Sequence, residues 1–287
     1  LLPRSHHYSR PVILITGASG MFGGAILAQL AARGMPVRAM AHSAVRAEEM
    51  QRPGVDPVVA DMDQPNTLNQ ALDGIDTVFL VSPMNGGVEV RERNVLDAAL
   101  RTGVRRIVKL YGAVNHRGDP LGSLHDASVE ALRQSGIQWA LLSPTSVLET
   151  SLLAMIPWIE ATGAIMASAG DGKVAHVALD DVARAAAVVL ADRDENGRSY
   201  VITGPDLLTM NEVCAIMSEV TSCSIPYVDV SDAELQKVLV EEAGMTAEQA
   251  EMGVICHYRA WRNGGAEVRT DTFHELTGET PTTVAQW

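Results

Sequence analysis

Gly17, Gly20 and Gly23 recur every third residue in Thr16-Gly17-Ala18-Ser19-Gly20-Met21-Phe22-Gly23. Glycine at such a spacing lets backbone N–H groups approach an anion, because a Cβ there would hold a pyrophosphate off. The last glycine also allows a following helix to lie close to the preceding strand. A buried apolar strand over residues 12–15 runs into this turn, and a helical apolar pattern at residues 25–30 runs out of it. Strand, glycine turn and helix in that order are the context a dinucleotide site requires. The backbone of Gly17, Ala18, Ser19, Gly20, Met21, Phe22 and Gly23 is therefore the candidate phosphate cradle.

Further candidates follow at the carboxyl ends of the later strands. An NAD-type site places an acid after the second strand, against the ribose 2′-hydroxyl. Here the chain reads Met40-Ala41-His42-Ser43-Ala44-Val45-Arg46, and its first acid is Glu48. Arg38, His42, Ser43 and Arg46 offer donors to a 2′-phosphate, so NADP(H) is favoured over NAD(H); a solvated loop carrying stray bases is the plainer reading. Asp61, beside Met62, can accept from an adenine amino group or cap the next helix. Val81, Ser82 and Pro83 close the fourth strand, with Ser82 as a polar contact or as part of a loop-forming pair.

Lys109 and Tyr111 alternate at the end of the fifth strand and so share a face. Lys109 either holds the cofactor or reaches solvent. Tyr111 either donates to a substrate oxygen or packs as a strand-end aromatic. His125 titrates near working pH and is a candidate acid or orienting group, against the plainer reading of a surface histidine. Glu130 is expected in a structural hydrogen bond, and His116 is a weaker candidate. Met84, Tyr111, Met155 and Trp158 are candidate pocket walls, with the helix around His257, Tyr258 and Trp261 as a lid; core packing is the alternative for each. No His, Cys or acid pair has metal-ligand spacing, and no G-x-S-x-G elbow is present.

The elements that must position these groups alternate. Short apolar runs at 37–41, 55–60, 77–81, 106–110 and 138–142 read as strands, and the segments 44–50, 64–72, 88–102 and 123–135 as helices. This is the pattern of an α/β fold, a doubly wound parallel (Rossmann) sheet covered on both faces. From about residue 145 the texture changes. Strands are expected at 174–179, 200–203 and 225–230, and helices at 182–190, 210–221 and, broken near Gly244, 231–262, with Thr246 as a cap. The expected organisation is residues 1–10 as a tag or vector remnant, 11–144 as the nucleotide domain and 145–287 as a smaller substrate lobe packed on the sheet.

Composition narrows the function classes. A net charge of −13 and 4% aromatic residues argue against a nucleic-acid partner. Cys214, Cys223 and Cys256 show no paired framework, which fits a reduced, cytoplasmic protein. No apolar run reaches membrane-spanning length. A small-molecule partner and a monomer or homodimer are expected.

With these residues in place, the chain resembles the NmrA-like branch of the atypical short-chain dehydrogenase/reductases. The resemblance is carried by residues 16–23, 59–63, 73–81, 104–108, 135–144 and 276–281. It implies NADPH binding and hydride transfer, as in the quinone, triphenylmethane-dye and iminium reductases of this branch; some members instead sense the dinucleotide as regulators. Typical short-chain dehydrogenases carry Tyr-x-x-x-Lys on the helix after the fifth strand, where lysine tunes a proton-donating phenol. This chain has Gly122-Ser123-Leu124-His125-Asp126-Ala127-Ser128-Val129-Glu130. His125 and Glu130 resemble the His and Glu of dye-reductase-like members. The implied function is an NADPH-dependent reductase of a hydrophobic, electron-poor molecule such as a quinone, iminium, enone or dye. The alternative is a non-catalytic NADP(H) sensor that binds a protein partner.

Overall fold

The computed structural model describes residues 13–112, 114–116, 119–192 and 196–287. The expected remnant at residues 1–10, Val12 of the first strand, and Ala113, Arg117 and Gly118 lie outside them. The strands are β1 Ile13–Ile15, β2 Val37–Ala41, β3 Val55–Val59, β4 Thr77–Leu80, β5 Arg106–Leu110, β6 Gln138–Pro144, β7 Ile165–Ala167, β8 Arg198–Ile202 and β9 Tyr227–Asp229. Helices α1 Met21–Ala32, α2 Ala44–Glu49, α3 Pro65–Leu72, α4 Val88–Thr102 and α5 Pro120–Gln134 fill the first half. The second half holds α6 Leu148–Ser151, α7 Ile156–Thr162, α8 Leu179–Ala191, α9 Met210–Thr221, α10 Asp232–Glu241, α11 Ala247–Ala250, α12 Cys256–Arg262 and α13 Thr272–Thr277.

Seven strands form one sheet in the order β3-β2-β1-β4-β5-β6-β8. Its β1–β2, β1–β4, β2–β3 and β4–β5 pairs are parallel. Every residue of β1, β4 and β5 is buried. That is what continuous apolar runs produce when helices cover both faces of a parallel sheet. The strand order reverses on either side of β1, so the crevice beyond the carboxyl ends of β1 and β4 is the topological switch point. Thr16 fastens that point: its hydroxyl lies 2.7 Å from the Val81 carbonyl oxygen and takes the Val81 N–H at 2.8 Å.

The described residues fall into two compact units. One holds those up to Leu110, with Ser128–Ala140 and Val189–Arg198; the other holds those of Tyr111–Ala127, Leu141–Val188 and Ser199–Trp287. The second unit has its own apolar core around Leu148, Ile165, Val213, Tyr258 and Trp261 and a separate parallel pair, β7–β9. Reciprocal capping boxes open three of its helices: Thr209 with Glu212, Ser231 with Glu234, and Thr246 with Gln249. Thr246 thus caps α11 as expected. No described helix is long and apolar enough to cross a membrane.

The expected strand at 174–179 is corrected. Residues 174–178 are buried but join only isolated bridges, Val147 with Val177 and Val174 with Leu208. The segment leaves the extended state at Leu179, whose N–H bonds Glu149 Oε2 at 2.8 Å, and α8 begins there rather than at 182.

Candidate functional site

The glycine turn builds a cradle for close approach. Gly17 sits at φ +55°, a left-handed conformation that disfavours a side chain. A Cβ on Gly23 would stand 2.3 Å from the Gly17 oxygen and 3.0 Å from Ala18 Cα. The start of α1 therefore lies against the turn with no room for a methyl group. Gly20 is the N-cap and offers no side-chain cap, and no acid occupies the first helical turn. Helix geometry leaves the N–H groups of Met21, Phe22 and Gly23 without an acceptor inside the helix. Gly17, Ser19, Gly20 and Met21 are exposed, while Ala18 is buried behind them. A positive dipole end with free N–H groups and open access is suited to a phosphate.

The donors after β2 divide. His42 is exposed, and Arg46 is exposed with only a surface pair to Glu49 at 2.8 Å. Ser43 caps α2 by accepting the Arg46 N–H at 3.4 Å. Arg38 is removed from the donor set: its guanidinium is spent on Asp56 at 2.8 Å and on the carbonyls of Ala71 and Asp73. Asp61 is not the cap of α3, whose N-cap is Gln64. Its carboxylate instead takes the Asp63 N–H at 2.9 Å and the Gln64 side-chain amide at 3.1 Å, which folds the loop, and Met62 beside it is buried.

Lys109 corrects both of its expected roles. Its side chain has no exposure and meets Glu92 Oε2 at 2.5 Å. It neither reaches solvent nor presents an open ammonium to a ligand. Burial pushes its pKa below the ordinary lysine value, and the Glu92 carboxylate opposes that shift. Ser82 joins the same group by donating to Glu92 Oε1 at 2.9 Å, so its hydroxyl proton is committed. Val81 is half-buried, and Pro83 and Met84 are exposed. Glu92 was not among the expected residues. Its signal was available: it falls on the α4 stripe of Val88, Val95, Leu96 and Ala99, an acid on an otherwise apolar face.

In the second unit the Tyr111 and His125 rings meet edge to face, with centroids 5.4 Å apart. His125 is buried, which corrects the surface reading, and Tyr111 is half-buried. Glu130, in the stretch that belongs to the first unit, takes the expected structural bond, accepting from Gln134 at 2.5 Å. Met155 packs on the apolar core of the second unit and lies 3.5 Å from the Tyr258 hydroxyl. Trp158 is half-buried on α7. Tyr258 and Trp261 are 6% and 3% exposed and belong to the core, so this part of α12 is not a lid.

His116 is more engaged than its sequence rank implies. It is buried, with Nδ1 2.7 Å from Asp119 Oδ2 and Nε2 2.8 Å from His257 Nδ1. Burial, with His116 adding to it, pushes His257 down to about 4, against the pull of Asp119. The imidazole of His176 is fully buried against Trp261, and burial pushes it down to about 4. Neither of its nitrogens has a hydrogen-bond partner among the described residues.

Comparison with known proteins adds an independent line. A family model described as the NmrA-like family matches residues 9–259. A (4-alkanoyl-5-oxo-2,5-dihydrofuran-3-yl)methyl phosphate reductase of Streptomyces griseus is 29% identical over 280 residues, with 96% of each chain covered. The structure of an NADPH-dependent quinone oxidoreductase of Escherichia coli, complexed with NADPH, superposes with a TM-score of 0.88 at 27% identity, covering 95% of this chain and 97% of that one. A Citrobacter triphenylmethane reductase complexed with NADP(H) gives a TM-score of 0.86 at 26% identity, covering 96% and 98%.

Proposed function

The chain belongs to the NmrA-like family, and from that premise we propose that it is an NADPH-dependent reductase of hydrophobic, electron-poor small molecules. The observation that carries the reading is the cradle at the head of α1, where a Cβ on Gly23 would meet the Gly17 oxygen at 2.3 Å. The relatives named as quinone and triphenylmethane reductases support the substrate class. The relative named as a reductase of an alkanoyl-oxo-dihydrofuranyl methyl phosphate supports reduction of a small organic molecule.

The chain's own groups then divide the work. The N–H groups of Met21, Phe22 and Gly23 hold the pyrophosphate, and the helix dipole adds to their pull. His42, Ser43 and Arg46 hold the 2′-phosphate that distinguishes NADP(H); the absence of an acid before Glu48 removes the repulsion an NAD-type site would present. The bound dinucleotide supplies hydride. Tyr111 donates its phenolic proton in a hydrogen bond to a substrate oxygen, and the His125 ring against it fixes the phenol's orientation. Met155 and Trp158 of the second unit supply adaptable apolar contacts. Helix α5 reads PLGSLHDASVEALRQ and carries neither Tyr nor Lys. Quinones, iminium ions and cationic dyes suit such a helix, because hydride addition to them does not wait on a strong proton donor.

Steady-state loss of reduced-nicotinamide absorbance, with a panel of quinones, iminium ions, azo compounds and triphenylmethane dyes, tests the reading. Turnover of at least one class with NADPH is expected. NADPH binding with no turnover of any class would replace it with a dinucleotide-sensing role.

A further inference from the structure

We propose that His116, Cys256 and His257 form a binding site for a soft divalent metal ion of the zinc type. One ligand atom from each of the three lies within 4.8 Å of the others. His116 stands in the loop before α5, and Cys256 and His257 open α12, so the ion would tie that loop to the helix. Thiolate with two imidazoles is a ligand set that favours zinc over harder cations. Three protein ligands leave a fourth position open to water.

Two further observations point the same way. Asp119 Oδ2 lies 2.7 Å from His116 Nδ1. A carboxylate there keeps the proton on Nδ1 and turns the bare Nε2 lone pair inward, the arrangement that orients metal-bound histidines. Asp119 is itself fixed, since its Oδ1 takes the Gly122 N–H at 2.9 Å.

The rearrangement is small. Zinc holds nitrogen at about 2.0–2.1 Å, so two nitrogens at a tetrahedral angle stand about 3.3 Å apart. His116 Nε2 and His257 Nδ1 are 2.8 Å apart and must separate by roughly half an ångström. The His257 proton moves from Nδ1 to Nε2. The Cys256 thiol, now donating to the Met252 carbonyl at 3.1 Å, swings to the ion and loses its proton to solvent. Metal coordination deprotonates a thiol outright, which overcomes the upward push of burial.

Titration of the full chain with cobalt(II), followed by displacement with zinc, tests the site. A thiolate-to-cobalt charge-transfer band saturating at one ion per chain is expected, with proton release. The band should vanish in Cys256→Ser, where Cys214 and Cys223 remain. Asp119→Asn keeps an oxygen for the Gly122 N–H but presents an amide N–H to His116, and is expected to weaken zinc about 10–100-fold. Absence of the band in the unaltered protein, its survival in Cys256→Ser, or unchanged affinity in Asp119→Asn would each overturn the proposal. None of these readouts depends on NADPH or on reductase activity.

Discussion

The head of α1 and the loop before α5 meet the same problem, positioning polar groups, by opposite means. At α1 the chemistry is backbone: three glycines within seven residues clear space, and the N–H groups need no side chain to be specified. In the loop before α5 the chemistry is side chain, and His116 meets its partner His257 from 141 residues away. The first device is local and tolerates change around it. The second depends on the packing of the whole unit and on groups kept neutral by burial.

Adding a methyl group where α1 meets the glycine turn probes the local device directly. Gly23→Ala places a Cβ against backbone atoms of Gly17 and Ala18 that cannot move aside. NADPH affinity is expected to fall at least about a hundredfold, a loss of roughly 2.7 kcal/mol or more, measured by calorimetry. Gly24→Ala is the control, since its Cβ would meet the Ala18 oxygen at an ordinary 3.5 Å. Equal binding by both variants would break the close-approach argument.

The buried pair of the first unit is read in stability rather than in binding. Lys109→Met strands the Glu92 carboxylate and is expected to cost about 3–5 kcal/mol in urea unfolding. Lys109→Met combined with Glu92→Leu should recover most of that loss, because the double change leaves no lone charge. If the single change were neutral, Lys109 would have to be re-read as an open ligand.

The histidines of the second unit give a pH signature. His176 and His257 are both depressed from 6.5 to about 4. The unfolded chain therefore binds more protons than the folded one between those values. The neutral rings are compatible with the fold above pH 6.5 and oppose it progressively down to about 4. Each contributes a slope of about 1.4 kcal/mol per pH unit in that window. His176→Phe should remove one such slope in unfolding measured as a function of pH; an unchanged slope would show that the ring is solvated.

The smallest effect concerns cofactor choice. Arg46→Ala removes one exposed guanidinium and should weaken NADPH about tenfold, from the loss of one charge-assisted bond of about 1.5 kcal/mol. NADH affinity should be unchanged, and a parallel loss for both would remove Arg46 from the 2′-phosphate site.

The contrast between the two devices also explains what the sequence revealed. Strands β2 and β5 and helices α4 and α9 fall where their apolar periodicities place them, because each pattern is read within one element. The glycine turn is legible for the same reason. The segment 174–179 misled because apolar residues in a buried extended stretch look alike whether or not a full ladder forms. Strand β7 offers only Ile165, Met166 and Ala167, too short a run to register. Lys109 read as an exposed or ligand-holding residue because its neutralising partner, Glu92, lies on another element. The meeting of His116, Asp119, Cys256 and His257 left no local trace, since no spacing rule spans that separation.

The account stands most directly on whether the α1 turn grips a dinucleotide. Calorimetric titration of the unaltered protein with NADPH and, separately, NADH measures it. One saturable site per chain is predicted, tighter for NADPH than for NADH. No heat of binding with either coenzyme at saturating concentration would contradict it.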